Sequence, residues 1–415
     1  QVEPLAAVIP ANVDDAERAA RICFERKLPL LPRGGGTSLA GQCTNRAVVL
    51  DLSPNCRAIR EVDTSARTCT LEPGVYVEEL NNELTRRNTG LFFAPDPATV
   101  RQAAIGGCIG NNAAGARSIL YGRTSENLLA VDALLPTGER LTLDHGAATR
   151  DPRVRALTQQ VLDVILPIAP VIKERFPKTV RRNAGYNLDL ILEQHERAGG
   201  DAGGINLSHL ICGAEGTLAL TLAATLRLHP TPKTKGLAVL SFATLDEAID
   251  AVLPILETKP SAVELLDDLV ISLARANPEA SVHAKLLPLL PSGAPVNAVL
   301  YVEYFADDPE TLDHRFVALK KAVPNAAHAY YVDPAAMLRA WRLRQSGEPL
   351  LHGLPGARKP ITFIEDNAIP VERLGEFVRR LRAIVHRHGT TAAFYAHAAV
   401  GVLHVRPLID IHDEA

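Results

Sequence analysis

Hydrophobic and polar positions alternate along this chain with two periods, and the switches between them outline its elements. Residues 13–27 follow a helical period that Pro29 stops. Residues 30–32 predict a short strand ending in glycines, and 47–52 a buried strand rich in β-branched residues. Short strands are predicted at 59–63 and 67–72, and a helix at 76–88. A second lobe begins near Leu91, with strands at 128–136, 139–143 and 216–228 and a helix at 152–166. His229-Pro230-Thr231-Pro232 then punctuates the chain, and a domain boundary is placed there. Beyond it, strands at 235–242, 261–266 and 298–305 alternate with helices at 245–256 and 267–276. The expectation is an α+β chain, with lobes of about 1–90 and 91–230 forming one domain. A second domain over 231–415 is expected to carry helices on one face of a sheet.

Composition narrows the classes. Of 415 residues, 47% are hydrophobic, which is ample for a packed core and excludes a disordered chain. The 44 basic and 47 acidic residues leave a net charge of −3, which argues against a broad nucleic-acid or anionic-membrane surface. No uninterrupted apolar run approaches the roughly 18–20 residues that span a bilayer; 161–172 comes nearest and carries Asp163 and Pro167. The six cysteines are scattered singly without a C-x-x-C pair, which speaks against zinc or iron–sulfur ligation within this chain and for a reducing, cytoplasmic compartment. The sequence opens on Gln1 without methionine and closes abruptly on His412-Asp413-Glu414-Ala415, so it reads as part of a longer polypeptide.

Three glycine-rich passages carry the first chemistry. In Arg33-Gly34-Gly35-Gly36-Thr37-Ser38-Leu39-Ala40-Gly41-Gln42, three consecutive glycines let backbone N–H groups turn inward as an anion nest. Thr37 and Ser38 add hydroxyl donors suited to a pyrophosphate. Leu39 breaks the G-x-G-x-x-G fingerprint, and Gln42-Cys43 breaks the P-loop. A tight structural turn is the competing reading. Gly106-Gly107-Cys108-Ile109-Gly110-Asn111-Asn112-Ala113-Ala114-Gly115 reads as a second loop, able to press backbone against a flat ligand or to form a packing seam. Pro95-Asp96-Pro97 stiffens its approach. Cys212-Gly213-Ala214-Glu215-Gly216-Thr217-Leu218 leads into a strand.

These passages, with Tyr121-Gly122, resemble the FAD-binding domain of the vanillyl-alcohol-oxidase/p-cresol-methylhydroxylase superfamily. Ala184-Gly185-Tyr186-Asn187-Leu188-Asp189, Trp341-Arg342-Leu343-Arg344, Glu365-Asp366-Asn367-Ala368-Ile369-Pro370 and the 396–404 stretch from Ala396 to His404 match its D-2-hydroxy-acid dehydrogenase branch in order. That branch holds D-lactate dehydrogenase, D-2-hydroxyglutarate dehydrogenase and the glycolate oxidase flavin subunit. The similarity is greatest to long bacterial members that continue into an iron–sulfur domain.

The resemblance implies FAD held by Arg33, Gly34, Gly35, Gly36, Thr37, Ser38, Gly41 and Gln42. Pro95, Asp96, Gly106, Gly107, Gly110, Asn111, Asn112, Ala113 and Gly115 would add to this set, as would Tyr121, Gly122, Glu215 and Gly216. Some superfamily members attach FAD through histidine or tyrosine; neither glycine loop contains histidine, so FAD is expected to be non-covalent.

On the substrate side, His397 and His404 flank Gly401, and a hairpin turning at 399–401 would let the imidazoles face each other. They could then share a divalent metal such as Zn or Mn, although catalytic sites usually take three protein ligands. Two ordinary strand histidines are the alternative. In the family a further glutamate and a catalytic base come from a downstream Glu-His-Gly segment that is absent here. Arg344 and Lys359 are the candidate carboxylate clamps, and Glu365-Asp366 either orient the site or form a strand-edge charge pair.

The implied activity is oxidation of a D-2-hydroxy acid, such as D-lactate or D-2-hydroxyglutarate, to the 2-oxo acid. Electrons would pass to an iron–sulfur domain beyond this chain, a quinone or another carrier. Alternatives are oxidation of a non-acid alcohol on the same fold, or a non-catalytic FAD electron-transfer module. A homo-oligomer and peripheral attachment to the inner membrane are both compatible with this reading; nucleic acid is not.

Overall fold

A computed structural model describes residues 2–183 and 185–412; Ala184 of the Gly185-Tyr186 motif and the terminal Asp413-Glu414-Ala415 lie outside them. The chain forms two units. The first comprises Gln1–Arg117, Tyr121–Pro177 and Asn183–Thr231, and the second Ser118–Leu120, Lys178–Arg182 and Pro232–Ala415.

In the first unit, a three-stranded parallel sheet sets Val48–Asp51 between Ala6–Val8 and Leu30–Arg33. The helix Val13–Glu25 buries Val13, Ala16, Ala20 and Cys23, and Asn12 caps it by accepting from the Asp15 N–H. A five-stranded antiparallel sheet follows the order Ile59–Asp63, Thr68–Leu71, Leu220–Arg227, Leu128–Leu134, Arg140–Asp144. The expected lobe boundary near residue 90 is therefore corrected: strands 59–71 belong to the larger sheet, because their apolar edge pairs with a strand some 150 residues later (Thr70 and Thr225 are 155 apart). The 106–115 passage is also corrected. Most of it is helix, Ile105–Asn111, buried through Ile105, Cys108 and Ile109 and closed by Asn112 at φ +48°. Small residues hid that helix, since glycine is a poor helix former unless packing compensates.

The helical run Pro152–Arg175 spans 24 residues and, by length and composition, is apolar enough to cross a membrane. The predicted helix at 152–166 and the apolar run at 161–172 both fall within it, and polar residues such as Asp163 interrupt the pattern between them. It packs Val154, Thr158, Leu162, Ile165 and Ile172 inward.

The second unit is built on an eight-stranded antiparallel sheet. Along it run Ala327–Tyr331, Thr234–Phe242, Ala298–Ala306, Ala262–Leu266, Ala392–His397, Val402–Ile409 and Lys359–Pro360, and Ile364–Ala368 also pairs with Val402–Ile409. Its strands read as near-continuous apolar runs because both faces are covered. Ala238, Leu240, Val263, Leu265, Phe394 and Ala396 face one core, packed with Leu245, Ile255, Leu312 and Val378 from helices. Leu237, Val239, Leu266, Ala393 and Tyr395 face another, packed with Val270, Ala274, Met337 and Leu343. Helices thus lie on both faces, which corrects the one-faced expectation. Two helices were not predicted: Pro334–His352, on the face with Val270, and Leu374–Arg387, on the face with Leu245.

Asp267 ties this unit to its site. It caps the helix Asp268–Ala276 by accepting from the Val270 N–H, and its other oxygen accepts from the Phe394 N–H at the start of the strand that carries Tyr395 and His397. Burial raises its carboxyl from 3.8 to about 7, against the backbone donors that lower it. The folded chain therefore holds this proton more tightly than the unfolded chain. The stabilising contribution is full below about pH 4 and is lost as pH rises towards about 7. In urea unfolding, Asp267→Asn is expected to lack that slope. Asp267→Ala should cost about 2–4 kcal/mol, because two buried N–H groups lose their acceptor. An Asn variant with the wild-type pH slope would assign the titration elsewhere.

Candidate functional site

All three glycine passages meet on one cleft of the first unit. The strand Leu30–Arg33 leads into Gly34 and Gly35, which press against the segment before the helix Ile105–Asn111. A Cβ at Gly35 would overlap the Gln102 carbonyl, and one at Gly34 would sit 2.8 Å from the Ala104 Cβ. Asn111 Nδ2 donates to Ser38 Oγ at 2.9 Å, and Thr99 Oγ1 donates to Thr37 Oγ1 at 3.3 Å. The third passage docks on the same helix: the Gly213 N–H donates to the Ile109 carbonyl and the Glu215 N–H to the Gly110 carbonyl. Glu215 and Gly216 take left-handed backbone at φ +50° and +76°.

The resulting cleft encloses about 160 Å³ and opens to solvent at its mouth. Arg33, Gly34, Gly35, Gly36, Thr37, Ser38, Gln42, Gly106, Gly107, Gly110, Asn111, Ala113, Glu215 and Gly216 line it. Two observations fit a bound polar cofactor. Gln42 Oε1 is buried yet has no hydrogen-bond partner among the described residues. A Cβ at Gly107 would meet no atom within 4 Å, so it would project into space that the protein leaves open.

The remaining predicted cofactor residues lie outside this lining and hold its walls. Asn112 is fully buried and accepts from the Ser125 N–H at 3.0 Å. Asp96 accepts from Arg117, and its backbone packs so tightly on Gly115 that no Cβ fits there. Pro95 is buried beside it. Tyr121 meets Phe92 and His229 edge-on, followed by Gly122 at φ +72°, and Gly41 turns at φ +91°. Burial pushes the Cys108 thiol up to about 12, so this cysteine is an unreactive part of the wall.

The second unit holds a polar cluster on the sheet face covered by the helix Pro334–His352. The strand Ala392–His397 turns through Ala398–Val400, with Gly401 at φ +67°, into Val402–Ile409. Register sets Tyr395 opposite His404 and His397 opposite Val402. His397 and His404 are therefore diagonal neighbours, their rings edge to face at 5.0 Å. His404 also stacks on Tyr395 at 4.7 Å.

Each imidazole is backed by a carboxylate, and each carboxylate by an arginine. His397 Nδ1 lies 2.8 Å from Glu264 Oε1, while Arg344 donates to Glu264 Oε2 through Nε at 3.1 Å and Nη2 at 2.7 Å. His404 Nδ1 bonds Glu365 Oε1, and Arg406 Nη1 donates to Glu365 Oε2. Arg406 Nη2 donates to the Tyr395 hydroxyl. The two guanidinium groups flank the Tyr395 ring at 5.4 Å and 5.2 Å.

A bulge shapes this corner. Pairing with Val402–Ile409 shifts register between Ile364 and Asn367, and Asp366 takes φ +49°. Successive strand residues ordinarily face opposite sides, yet here Asp366 Oδ1 also comes within 3.2 Å of His404 Nδ1.

Burial pushes the Glu264 carboxyl up, but His397 and Arg344 hold it below the usual carboxylate range. Burial lowers His397 to about 4, assisted by Arg181 and His404 and opposed by Glu264. His397 is thus a neutral imidazole that donates Nδ1–H and presents the Nε2 lone pair. Both rings have Nδ1 bonded to a carboxylate, the way metal-ligating histidines are ordinarily held, so the pair has the chemistry to hold a divalent metal. A second grouping, Glu365, Asp366 and His404, brings three ligand atoms within 4.8 Å and does not include His397. Lys359 is exposed, donates to the Leu354 carbonyl and bonds nothing in this cluster among the described residues. Glu264, Tyr395, Arg406 and the buried Arg181 escaped sequence reasoning. Arg406 had a usable signal: it sits two residues after His404 and so shares its face.

Comparisons accord with both halves. An FAD binding domain matches residues 4–144, and the C-terminal domain of FAD linked oxidases matches 231–415. The chain is 31% identical to D-2-hydroxyglutarate dehydrogenase of Pantoea ananatis over all of its own length and 41% of that protein's. It is 25% identical to the glycolate oxidase subunit GlcD of Bacillus subtilis, covering 75% of it. The fold superposes on p-cresol methylhydroxylase with a TM-score of 0.65 at 16% identity, covering 99% of this chain and 76% of that one. The chain spans about two fifths of the length of the D-2-hydroxyglutarate dehydrogenases it matches. With a glycine cleft and a two-histidine sheet face on a fold of this type, the chain joins an FAD binding domain to the C-terminal domain of FAD linked oxidases and is similar in sequence to D-2-hydroxyglutarate dehydrogenases and the glycolate oxidase subunit GlcD.

Proposed function

We propose that this chain is the flavin-binding, substrate-oxidising part of an FAD-linked D-2-hydroxy-acid dehydrogenase. The observation that carries the reading is the paired Arg–Glu–His arrangement, with an arginine fork and two imidazoles on one sheet face. The relatives' names support the substrate class: D-2-hydroxyglutarate dehydrogenase and glycolate oxidase both act on 2-hydroxy acids.

The residues divide the work. The nest at 34–38 and the helix Ile105–Asn111 cradle the cofactor, and Gln42 Oε1 accepts a hydrogen bond from it. Arg344 gives Nε and Nη2 to Glu264 and retains Nη1 for a substrate carboxylate. Its side chain is 15% exposed, whereas that of Arg406 is 2% exposed and bonded to Glu365 and Tyr395. His397 and His404 present Nε2 towards the hydroxyl side. A divalent cation bound there would polarise the substrate oxygen, and bound FAD would supply the two-electron redox chemistry. Electrons would leave to a further domain or a separate carrier. Lys359 has the chemistry of a second clamp, and a dicarboxylate substrate would engage it only after its bond to Leu354 breaks.

Anaerobic addition of D-2-hydroxyglutarate or D-lactate to the flavin-loaded protein is expected to bleach its visible absorption, with the L-enantiomers inactive. Bleaching by a non-acid alcohol but by no hydroxy acid would overturn the substrate class. Arg344→Lys keeps a charge beside Glu264 but loses the fork, and should lower kcat/KM by about 10- to 150-fold, the worth of a charged hydrogen bond. Gly107→Val should leave thermal unfolding of the flavin-free protein within about 1 kcal/mol while weakening FAD retention. Gly35→Ala should destabilise the protein even without FAD, because its Cβ meets backbone.

A further inference from the structure

Arg406 lies in the same cluster as Arg344 but is held differently. It is one of the two largest fully buried side chains in the structure. Nη1 is given to Glu365, Nη2 to the Tyr395 hydroxyl, and Nη2 also lies 3.7 Å from Glu348 Oε1. Its guanidinium stands over the face of Tyr395, and His404 stacks on the same ring. A group so enclosed is badly placed to release its partners for an incoming substrate, since breaking a buried charge pair leaves a buried charge unanswered.

The carboxylate it holds is the one on His404. Glu365 sits on a bulged strand, next to a residue in left-handed backbone, so its carboxylate lacks the support that a regular ladder would supply. Arg406 provides that support from the neighbouring strand. One Glu365 oxygen is fixed by Arg406 and the other meets His404 Nδ1, so the orientation of the guanidinium sets the orientation of the imidazole. Tyr395 closes the arrangement, accepting from Arg406 and stacking against His404.

From this geometry we infer that Arg406 is a positioning residue: with Glu365 and Tyr395 it fixes the His404 ring so that Nε2 converges with Nε2 of His397 on one divalent cation. The inference rests on the proposed reading of the histidine pair as a cation site, and it assigns different tasks to the two arginines. Arg344 meets substrate, whereas Arg406 acts only through Glu365 and His404. Outer-shell partners of metal-bound histidines are typically worth 10–100-fold in metal affinity.

The test uses the full chain loaded with FAD, stripped of metal and titrated with Co²⁺, whose visible ligand-field spectrum reports coordination directly. Wild type is expected to bind one Co²⁺. Arg406→Met should bind about 10–100-fold more weakly with an altered spectrum, while flavin content stays near wild type and the thermal midpoint falls. Arg406→Lys can hold Glu365 or Tyr395 but not both, and should fall between them. Tyr395→Phe, which keeps the ring and loses only the hydroxyl, should show a smaller shift in the same direction. In turnover, Arg406→Met should lower kcat with little change in KM, in contrast to Arg344→Lys. Wild type that binds no Co²⁺ would overturn the cation reading and this inference with it. Wild type and Arg406→Met binding Co²⁺ equally, with one spectrum, would leave the cation site standing and overturn the role of Arg406 alone. If Arg406→Met loses flavin or unfolds, Arg406→Lys decides: wild-type affinity and spectrum in that variant overturn the inference, and a weakened, altered site upholds it.

Discussion

A carboxylate in the middle of a sheet is tolerated only if its charge is answered on the spot, and Glu264 organises the second unit around that requirement. It lies on the strand Ala262–Leu266 with 2% of its surface exposed, between Arg344 from a covering helix and His397 from the next strand. Removing either partner would strand a buried charge, which costs far more than the pair gains over an apolar replacement. That asymmetry fixes the register of Ala392–His397 against Ala262–Leu266, and hence the faces of Tyr395 and His397. The second relay, through Glu365, reuses the same chemistry under looser backbone control, so it relies on Arg406 and Tyr395 for the rigidity that Glu264 obtains from two flanking strands.

The first unit solves a different problem by subtraction. Its cleft is defined by side chains that are missing: Gly35 lets one strand end touch the Gln102 carbonyl, and Gly115 lets another passage meet Asp96. Gly107, by contrast, has open space before it. Two glycines thus serve packing and one leaves space open, a distinction that composition alone could not draw. What is common to both units is that polar groups are held by neighbours before any ligand arrives, which reduces the reorganisation needed on binding.

Much of this was legible in the sequence. Strands such as Ile59–Asp63 and Ala298–Ala306 announce themselves by β-branched runs, and the helix Val13–Glu25 by its period and its stop. What escaped did so for physical reasons. The helix Ile105–Asn111 is too rich in glycine to show helical propensity and exists because its buried face is packed. The two-sided cover of the large sheet went unseen because strands covered on both sides lose the alternation that would mark an exposed face. Within the site, the histidines and Arg344 were readable through motifs, but Glu264 and Tyr395 resembled ordinary strand residues. Their importance comes from register across strands, which no local pattern encodes. The bulge at Asp366 is equally silent, since a non-glycine residue at φ +49° leaves no compositional mark.

The pairing of Glu264 with His397 joins residues 133 positions apart. Contacts of that separation form late, because the chain must close a long loop before any energy is returned. During synthesis the strand Ala262–Leu266 emerges well before Ala392–His397, and until then its acidic residue has no histidine to meet and one edge of a half-built sheet stands open. The polar cluster is therefore among the last things this unit completes, and synthesis halted between residues 266 and 392 would leave a chain whose flavin-binding half is made while the strand Ala262–Leu266 has an unpaired edge ready to aggregate.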